Sequence, residues 1–223
     1  MDSKSQRKQA VISLKQNLIL DAALKVIARD GYQAARLEDI AEEAGFAKAS
    51  LYHYFPDREA LVLELILREQ MLIIEQCDEI SASDAPVSQK LKNVMKTFFT
   101  KLKSHAQFAN AMGVTTPSGM SNFAGIAAKH SELFEEMQSR KCEINKRIMS
   151  LIKEAVDKGV LTVPIDLGTV STYIMAIVHS VFMDAYQKGV ESYDFDSAVD
   201  RFFVFLGPWI REESGGVPAG EGS

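Results

Sequence analysis

Apolar residues in the first part of the chain recur three and four positions apart, which places them on one face of an α-helix. The longest of these stripes covers residues 18–27. Ile40, Ala41 and Ala44 form a second, much shorter stripe. The pattern predicts a first helix over about residues 13–30 and a short second helix after it.

A tight corner follows the second stripe. Gly45 stands where that helix ends and where the backbone needs a positive φ. A third short helix is predicted for residues 47–54, with Leu51 and Phe55 pointing inward at i, i+4 spacing. Pro56 ends it, because the residue before a proline is disfavoured in the α region. The stretch therefore predicts a helix-turn-helix, which presents its second helix to the major groove of DNA.

The outward face of the third helix carries groups that can bind DNA. They are one ammonium, two hydroxyls and an imidazole, on Lys48, Ser50, Tyr52 and His53. All can donate to phosphate oxygens, and Ser50 and His53 can also reach base edges. The alternative is a solvated face on a small all-α domain, since such corners also occur as packing motifs.

The sequence blocks around this corner resemble the TetR family of transcriptional regulators. The matching blocks are Asp21-Ala-Ala-Leu, Gly31-Tyr32, Asp39-Ile-Ala-Glu-Glu-Ala-Gly45 and Lys48-Ala-Ser-Leu-Tyr-His-Tyr-Phe-Pro-Asp-Arg-Glu-Ala-Leu61. The resemblance is specific over residues 14–74 and architectural beyond them. It implies an all-α fold with an N-terminal three-helix DNA-binding domain, a larger helical ligand-binding and dimerisation domain, and no enzymatic activity.

Three positions depart from the family pattern, and one of them is Ala49, where a Gly is common. Arg36 stands where a capping Thr is usual, and Ala47 where a Ser usually begins the recognition helix. A missing N-cap costs about 1 kcal/mol, so the recognition helix is expected to fray in the free protein. We assign Lys48, Tyr52, His53 and Arg58 to phosphates, and Arg36, Ala49 and Ser50 to base edges.

Long apolar stripes continue after Pro56. Helix four is predicted from about Asp57 to Ile80, and small, turn-forming residues before Pro86 end it. Later helices are predicted at about residues 87–104, 105–112, 131–158, 166–188 and 195–212.

The last two of these helices are apolar on more than one face, which is too broad for surface helices of a monomer. Complete burial within one subunit explains this, and so does a two-fold interface in which two helices of each subunit form a four-helix bundle. We favour the homodimer, which the family resemblance also implies.

The chain has 223 residues, of which 47% are hydrophobic and 25% charged, the balance of a soluble globular protein. Its net charge of −5 does not exclude DNA binding, because the field at the contact face decides. The sequence predicts no signal peptide and no apolar run near the ~20 residues of a membrane span. Cys77 and Cys142 lie far apart and fit a reducing cytosol, with a redox-sensing pair as the less favoured alternative.

The expected organisation has four parts. Residues 1–13 form a flexible basic arm, which either follows the DNA backbone or is a solubilising tail. The DNA-binding domain covers residues 14–60, and the ligand-binding and dimerisation domain covers residues 61–212. Residues 213–223 are rich in Gly, Ser and Pro and are expected to be disordered.

No catalytic or metal site and no cofactor are predicted. The sequence has no Gly-rich phosphate loop and no GxSxG motif, and no histidine follows a Glu by three residues. A chamber for a small molecule needs apolar walls and few polar groups. Side chains of these kinds occur on helices expected to face each other, although each is also explained as an ordinary core residue. The candidates are Phe98, His105, Phe108, Met112, Tyr173 and His179.

These observations predict a cytoplasmic, ligand-responsive regulator of transcription, a repressor that binds a near-palindromic operator as a homodimer. A small, largely apolar effector releases it from double-stranded DNA. The alternative is a helical small-molecule-binding protein without specific DNA binding; an enzyme is a more distant possibility.

Overall fold

The computed structural model describes residues 3–31, 34–111, 124–162, 165–189 and 192–209. Within these ranges the chain is helical, which confirms the all-α class. The helices are α1 (Ser3–Asp30), α2 (Leu37–Glu43), α3 (Lys48–Tyr54), α4 (Arg58–Ala82), α5 (Val87–Ala111), α6 (124–129), α7 (Ser131–Asp157), α8 (Leu167–Lys188) and α9 (Phe195–Leu206), and a 3₁₀ turn follows at Gly207–Trp209.

The chain forms two compact units. The first combines Met1–Gln70 with Ser104–Arg140, and the second combines Met71–Lys103 with Lys141–Ser223. Helices α4, α5 and α7 therefore each contribute residues to both units. The boundary expected at residue 60 falls inside the first unit.

The core of the first unit joins α1, α2, α3 and the beginning of α4. Apolar residues of all four helices are buried in it, as their spacing predicts. The buried set includes Ile19, Ala23, Val26, Leu37, Ile40, Leu51, Phe55, Leu61, Val62 and Leu65.

Gly45 makes the corner between α2 and α3. Its φ is 72°, a conformation that glycine adopts without the steric cost of a side chain. Its N–H donates to the Glu42 carbonyl at 3.0 Å, and the Phe46 N–H donates to the Ala41 carbonyl at 2.8 Å. This pair of bonds is a Schellman motif, which satisfies the last carbonyls of α2. The predicted helix-turn-helix corner is thereby confirmed.

Helix α1 begins at Ser3, so the expected start near Ser13 is wrong. Residues 3–13 contain no Gly or Pro, and they are rich in Lys, Arg, Gln and Ala, which favour helix. The stretch expected to be a flexible basic arm is therefore helical from Ser3 onward. A polar composition fits a tail as well as a helix, and the helix propensity of these residues allows α1 to continue through them.

Two other helix ends also differ from expectation. Helix α5 runs unbroken from Val87 to Ala111, because nothing at the expected break between residues 104 and 105 stops a helix. Helix α9 ends at Leu206, whereas the pattern predicts that it continues to residue 212. Residues 210–212 lie outside the described residues. Pro208 explains this end, since it lacks an N–H and disfavours helix at the residue before it.

Candidate nucleic-acid interface

Helix α3 is buried on one side and exposed on the other. Leu51 is fully buried in the core of the first unit. The residues around it that were assigned to DNA face outward: Lys48, Ala49, Tyr52 and His53 are exposed, and Ser50 is half-buried. The structure therefore brings five of the seven predicted DNA-binding residues together on one short helix.

Lys48 has a partner that the sequence pattern did not reveal. Its ammonium forms an ion pair with the Glu38 carboxylate of α2, and it lies 5.9 Å from the centre of the Tyr52 ring. The hydrogen bond with Glu38 raises the pKa of Lys48, and the same bond lowers the pKa of Glu38. Lys48 is consequently held over α3 as a cation, and Glu38 competes with any phosphate for it.

Both helices of the corner begin without a side-chain N-cap, as the sequence predicts. Ala47 occupies the N-cap position of α3 and makes no side-chain cap bond. Arg36 occupies the N-cap position of α2, where its backbone N–H donates to Asp39 Oδ2 at 3.3 Å. Asp39 thus satisfies one backbone group from inside the helix, while the Arg36 side chain remains exposed.

Arg58 and Asp57 lie where α4 begins. Asp57 caps the helix, since its Oδ1 accepts the Ala60 N–H at 2.8 Å. Arg58 is half-buried, and its Nη1 donates to the Ala35 carbonyl at 3.3 Å. This bond gives Arg58 a structural role beside the start of α2, and its assignment to phosphate stays a prediction.

The extended beginning of α1 carries a second basic surface. Lys4, Arg7, Lys8 and Lys15 lie within an arc of about 100° around the helix, because a residue advances by one turn in 3.6 positions. All four are exposed, and residues 3–18 contain no Asp or Glu. The opposite face carries uncharged residues, among them Ser5, Gln6, Gln9 and Ser13. Helix formation has thus gathered these cations onto one side.

The predicted ligand-binding residues are only partly described. Phe98 is half-buried on α5, whereas Tyr173 is 58% exposed on α8 and His179 is also exposed. The side chains of His105 and Phe108, and all of Met112, lie outside the described residues. In the single chain, Tyr173 and His179 therefore lie on the surface rather than in an enclosed chamber.

A cleft of about 500 Å³ lies between α8 and α9 in the second unit. Its apolar wall includes Ile177, Val181 and Phe202, and a polar edge carries Asp184, Tyr193 and Arg201. Tyr193 donates to Asp184 Oδ2 at 3.0 Å, and Arg201 Nη2 donates to the Tyr193 oxygen at 3.4 Å. Phe98, Tyr173 and His179 do not line this cleft. It is a feature that the sequence analysis did not predict.

Helix α8 is long and apolar enough, by length and composition alone, to cross a membrane, although the sequence analysis predicted no such segment. Only 17% of its most apolar 18-residue stretch is buried. One such helix is weak evidence for a membrane, because a helix at a subunit interface has the same length and composition. Its exposure shows that this apolar surface is not covered by the described part of the same chain.

The two cysteines differ in their surroundings. Cys77 is buried on α4, and burial raises its pKa to about 11. Cys142 is exposed on α7. Because a thiol reacts as its thiolate, Cys77 is poorly reactive at neutral pH, which speaks against a redox-sensing pair.

Comparison with known proteins identifies the N-terminal region. The model of the tetR family of bacterial regulatory proteins matches residues 19–65. Over 84 residues the chain is 33% identical to the fatty acid metabolism regulator protein of Bacillus subtilis (strain 168), covering 38% of this chain and 43% of that protein. The chain thus matches less than half the length of that curated relative.

Two solved structures share the fold over most of the chain. The fatty acid degradation regulator FadR from Bacillus halodurans has a TM-score of 0.63 and 22% identity, covering 86% of this chain and 94% of that one. FadR from Bacillus subtilis in complex with stearoyl-CoA has a TM-score of 0.61 and 20% identity, with 85% and 96% covered. The predicted architecture, an N-terminal helix-turn-helix domain followed by a helical domain, is confirmed.

Proposed function

We propose that this chain, which belongs to the TetR family of bacterial regulatory proteins through residues 19–65, is a cytoplasmic, dimeric transcriptional repressor. It binds a near-palindromic operator and is released by a small, largely apolar effector. The observation that carries the proposal is the one-sided exposure of α3, with Leu51 buried and Lys48, Ala49, Tyr52 and His53 facing outward. An exposed second helix of this kind fits the major groove of DNA.

The last two helices support the dimer. Helices α8 and α9 expose large apolar side chains, with Tyr173 at 58%, Val204 at 78% and Phe205 at 55%. Large apolar side chains exposed to this extent are typical of a protein interface. A two-fold pairing of α8 and α9 buries it, and sets two copies of α3 about one DNA turn apart, ~34–36 Å.

Two basic surfaces divide the DNA contacts. On α3 and its flanks, Lys48, Tyr52, His53 and Arg58 bind phosphates, and Arg36, Ala49 and Ser50 read bases. The cationic face of α1 follows the phosphate backbone beside the site that α3 reads. This second role replaces the flexible arm expected for residues 1–13 with a helical contact.

The effector is an amphipathic molecule with a long apolar part, and a long-chain acyl thioester is the first class to test. Two observations support this class: relatives carry names that refer to fatty acid metabolism, and one neighbour in fold was solved with stearoyl-CoA. The half-buried Phe98 of α5 is the described candidate best suited to line an apolar chamber. Effector binding favours a conformer with a different spacing of the two α3 helices. The shift in the equilibrium between the two conformers is set by the ratio of the effector's affinities for them.

Gel-shift titration of the dimer with the DNA that flanks its own gene tests this function. The expected result is specific binding whose affinity falls steeply with salt, and which long-chain acyl-CoA reverses. Lys48→Ala should weaken binding to all sequences and lower the salt slope by about one, whereas Arg36→Ala should relax preference at one position. Effector binding without any specific DNA site at low salt would instead favour the alternative, a small-molecule-binding protein.

A further inference from the structure

The Asp57 carboxylate is shared by two parts of the first unit that are far apart in sequence. Its Oδ1 accepts the Ala60 N–H at 2.8 Å and so caps α4. Its Oδ2 lies 2.9 Å from Lys129 Nζ, at the end of α6, and its Oδ1 lies 3.1 Å from His130 Nε2, between α6 and α7. His130 Nε2 lies close to this oxygen without forming a hydrogen bond of good geometry.

These partners keep Asp57 ionised although the site is partly closed to water. The side chains of Asp57 and His130 are 24% and 12% exposed. Burial alone would raise the pKa of the Asp57 carboxyl, but the Ala60 N–H, Lys129 and His130 together hold it below its usual value. The carboxylate is therefore an anion that binds the end of α6 to the beginning of α4.

The next residue continues the connection toward DNA. Arg58 Nη1 donates to the Ala35 carbonyl at 3.3 Å. Ala35 precedes Arg36, whose backbone N–H donates to Asp39 at the first turn of α2. Asp57 and Arg58 thus link the α6–α7 junction on one side to the residue assigned to base reading on the other.

Other bonds keep α7 on α4 independently of this link. Gln70 Nε2 donates to the Met137 carbonyl at 3.2 Å, and Arg140 Nη1 donates to the Leu67 carbonyl at 2.6 Å. Removing the charge of Lys129 therefore weakens the link at Asp57, where the His130 contact remains, without detaching α7. The link is in this way open to a selective test.

We propose that Lys129 and His130 are positioning residues for operator recognition, which hold Arg36 in place through Asp57 and Arg58 without touching DNA themselves. The proposal rests on the proposed function, because it assigns a task to the same DNA-binding surface. It places a determinant of sequence preference at the α6–α7 junction, outside the helix-turn-helix.

A double-mutant cycle between two residues that do not touch tests the link. Lys129→Met should weaken binding to an operator duplex by about three- to thirtyfold, the range of coupling through intermediate residues. Lys129→Arg should restore most of the affinity. In an Arg36→Ala background, Lys129→Met should have no further effect, since the side chain that it positions is gone.

Lys146→Met is the matched control. Lys146 is an exposed lysine of α7 that pairs with Glu143 on the same helix, so its loss leaves the Asp57 link intact. Its effect on binding should stay within about twofold. If Lys129 instead bound phosphate directly, its loss would lower the salt slope by about one and would add to the effect of Arg36→Ala. Either of those results overturns the proposal.

Amide hydrogen exchange of the DNA-free protein separates this proposal from the proposed function. The Ile40 amide, which donates to the Arg36 carbonyl, should exchange about threefold faster or more in Lys129→Met than in the wild type. Unchanged exchange at Ile40 overturns the link even where the wild type binds DNA. Faster exchange in a protein that binds no specific operator supports the link and contradicts the proposed function as a repressor.

Discussion

The three-helix core and the α8–α9 pair are both rich in apolar residues, but they differ in how completely they bury them. In the N-terminal core, Ile19, Ile40 and Leu51 are fully buried by helices of the same chain. On α8 and α9, Tyr173 and Phe205 remain more than half exposed. The first region buries its apolar residues within one subunit, whereas the second leaves large apolar side chains exposed, which is the surface assigned to the proposed dimer.

This difference separates the two requirements of operator recognition. A closed core gives α3 a defined shape from a single chain. In the proposed dimer, pairing through α8 and α9 gives two copies of α3 the defined spacing that a palindromic site demands. Changes in the two regions should therefore harm DNA binding for different reasons, and stability and oligomeric state should tell them apart.

The largest expected effect comes from a charge in the exposed apolar surface. Phe205→Asp should give a folded monomer, because the side chain is 55% exposed in the single chain and the carboxylate would be buried only at the proposed interface. Operator affinity should fall by about 10²–10⁴, the gain that linking two binding sites usually provides. Light scattering coupled to size exclusion measures the mass, and gel shifts measure the affinity.

Leu14→Asp serves as the control for that variant. Leu14 is 61% exposed on α1, similar to Phe205, but lies outside the α8–α9 pair. It should leave the protein dimeric. A dimeric Phe205→Asp protein with normal operator affinity would contradict the assignment of the interface.

A smaller effect is expected in the closed core. Leu51→Ala should lower the free energy of unfolding by about 2–5 kcal/mol, because it leaves a cavity among α1, α2 and α4. Urea titration followed by circular dichroism measures this loss. Phe205→Ala is measured in the same way, at a protein concentration below the dimer dissociation constant. It should lower the free energy of unfolding much less. Equal losses in the two variants would remove the distinction between the two regions.

The smallest expected effect is a gain in stability at the corner. Ala47→Ser supplies the missing N-cap of α3, whose hydroxyl can accept the Ala49 or Ser50 N–H. The free energy of unfolding should rise by about 1 kcal/mol, and the amides at the start of α3 should exchange more slowly. Ala49→Ser adds a hydroxyl two residues later, where it cannot cap, and should give no such gain.

The accuracy of the sequence-based predictions varied with the range of the interactions involved. The corner at Gly45 and the buried face of α3 each depend on residues a few positions apart, and the structure has both. The prediction for the start of α1 is wrong because residues 3–13 are polar but still favour helix. The end of α9 was misplaced although Pro208 is a local signal that was present in the sequence.

Local periodicity and special residues were sufficient to establish the class, the helix-turn-helix and the outward side of α3, because these follow from backbone preferences within one or two turns. Three-dimensional packing alone revealed that Lys48 is paired with Glu38, and that Asp57 joins Lys129 and His130. The physical reason is that an ion pair depends on the approach of two side chains across the fold. The spacing of residues along the sequence does not show which side chains approach each other in this way.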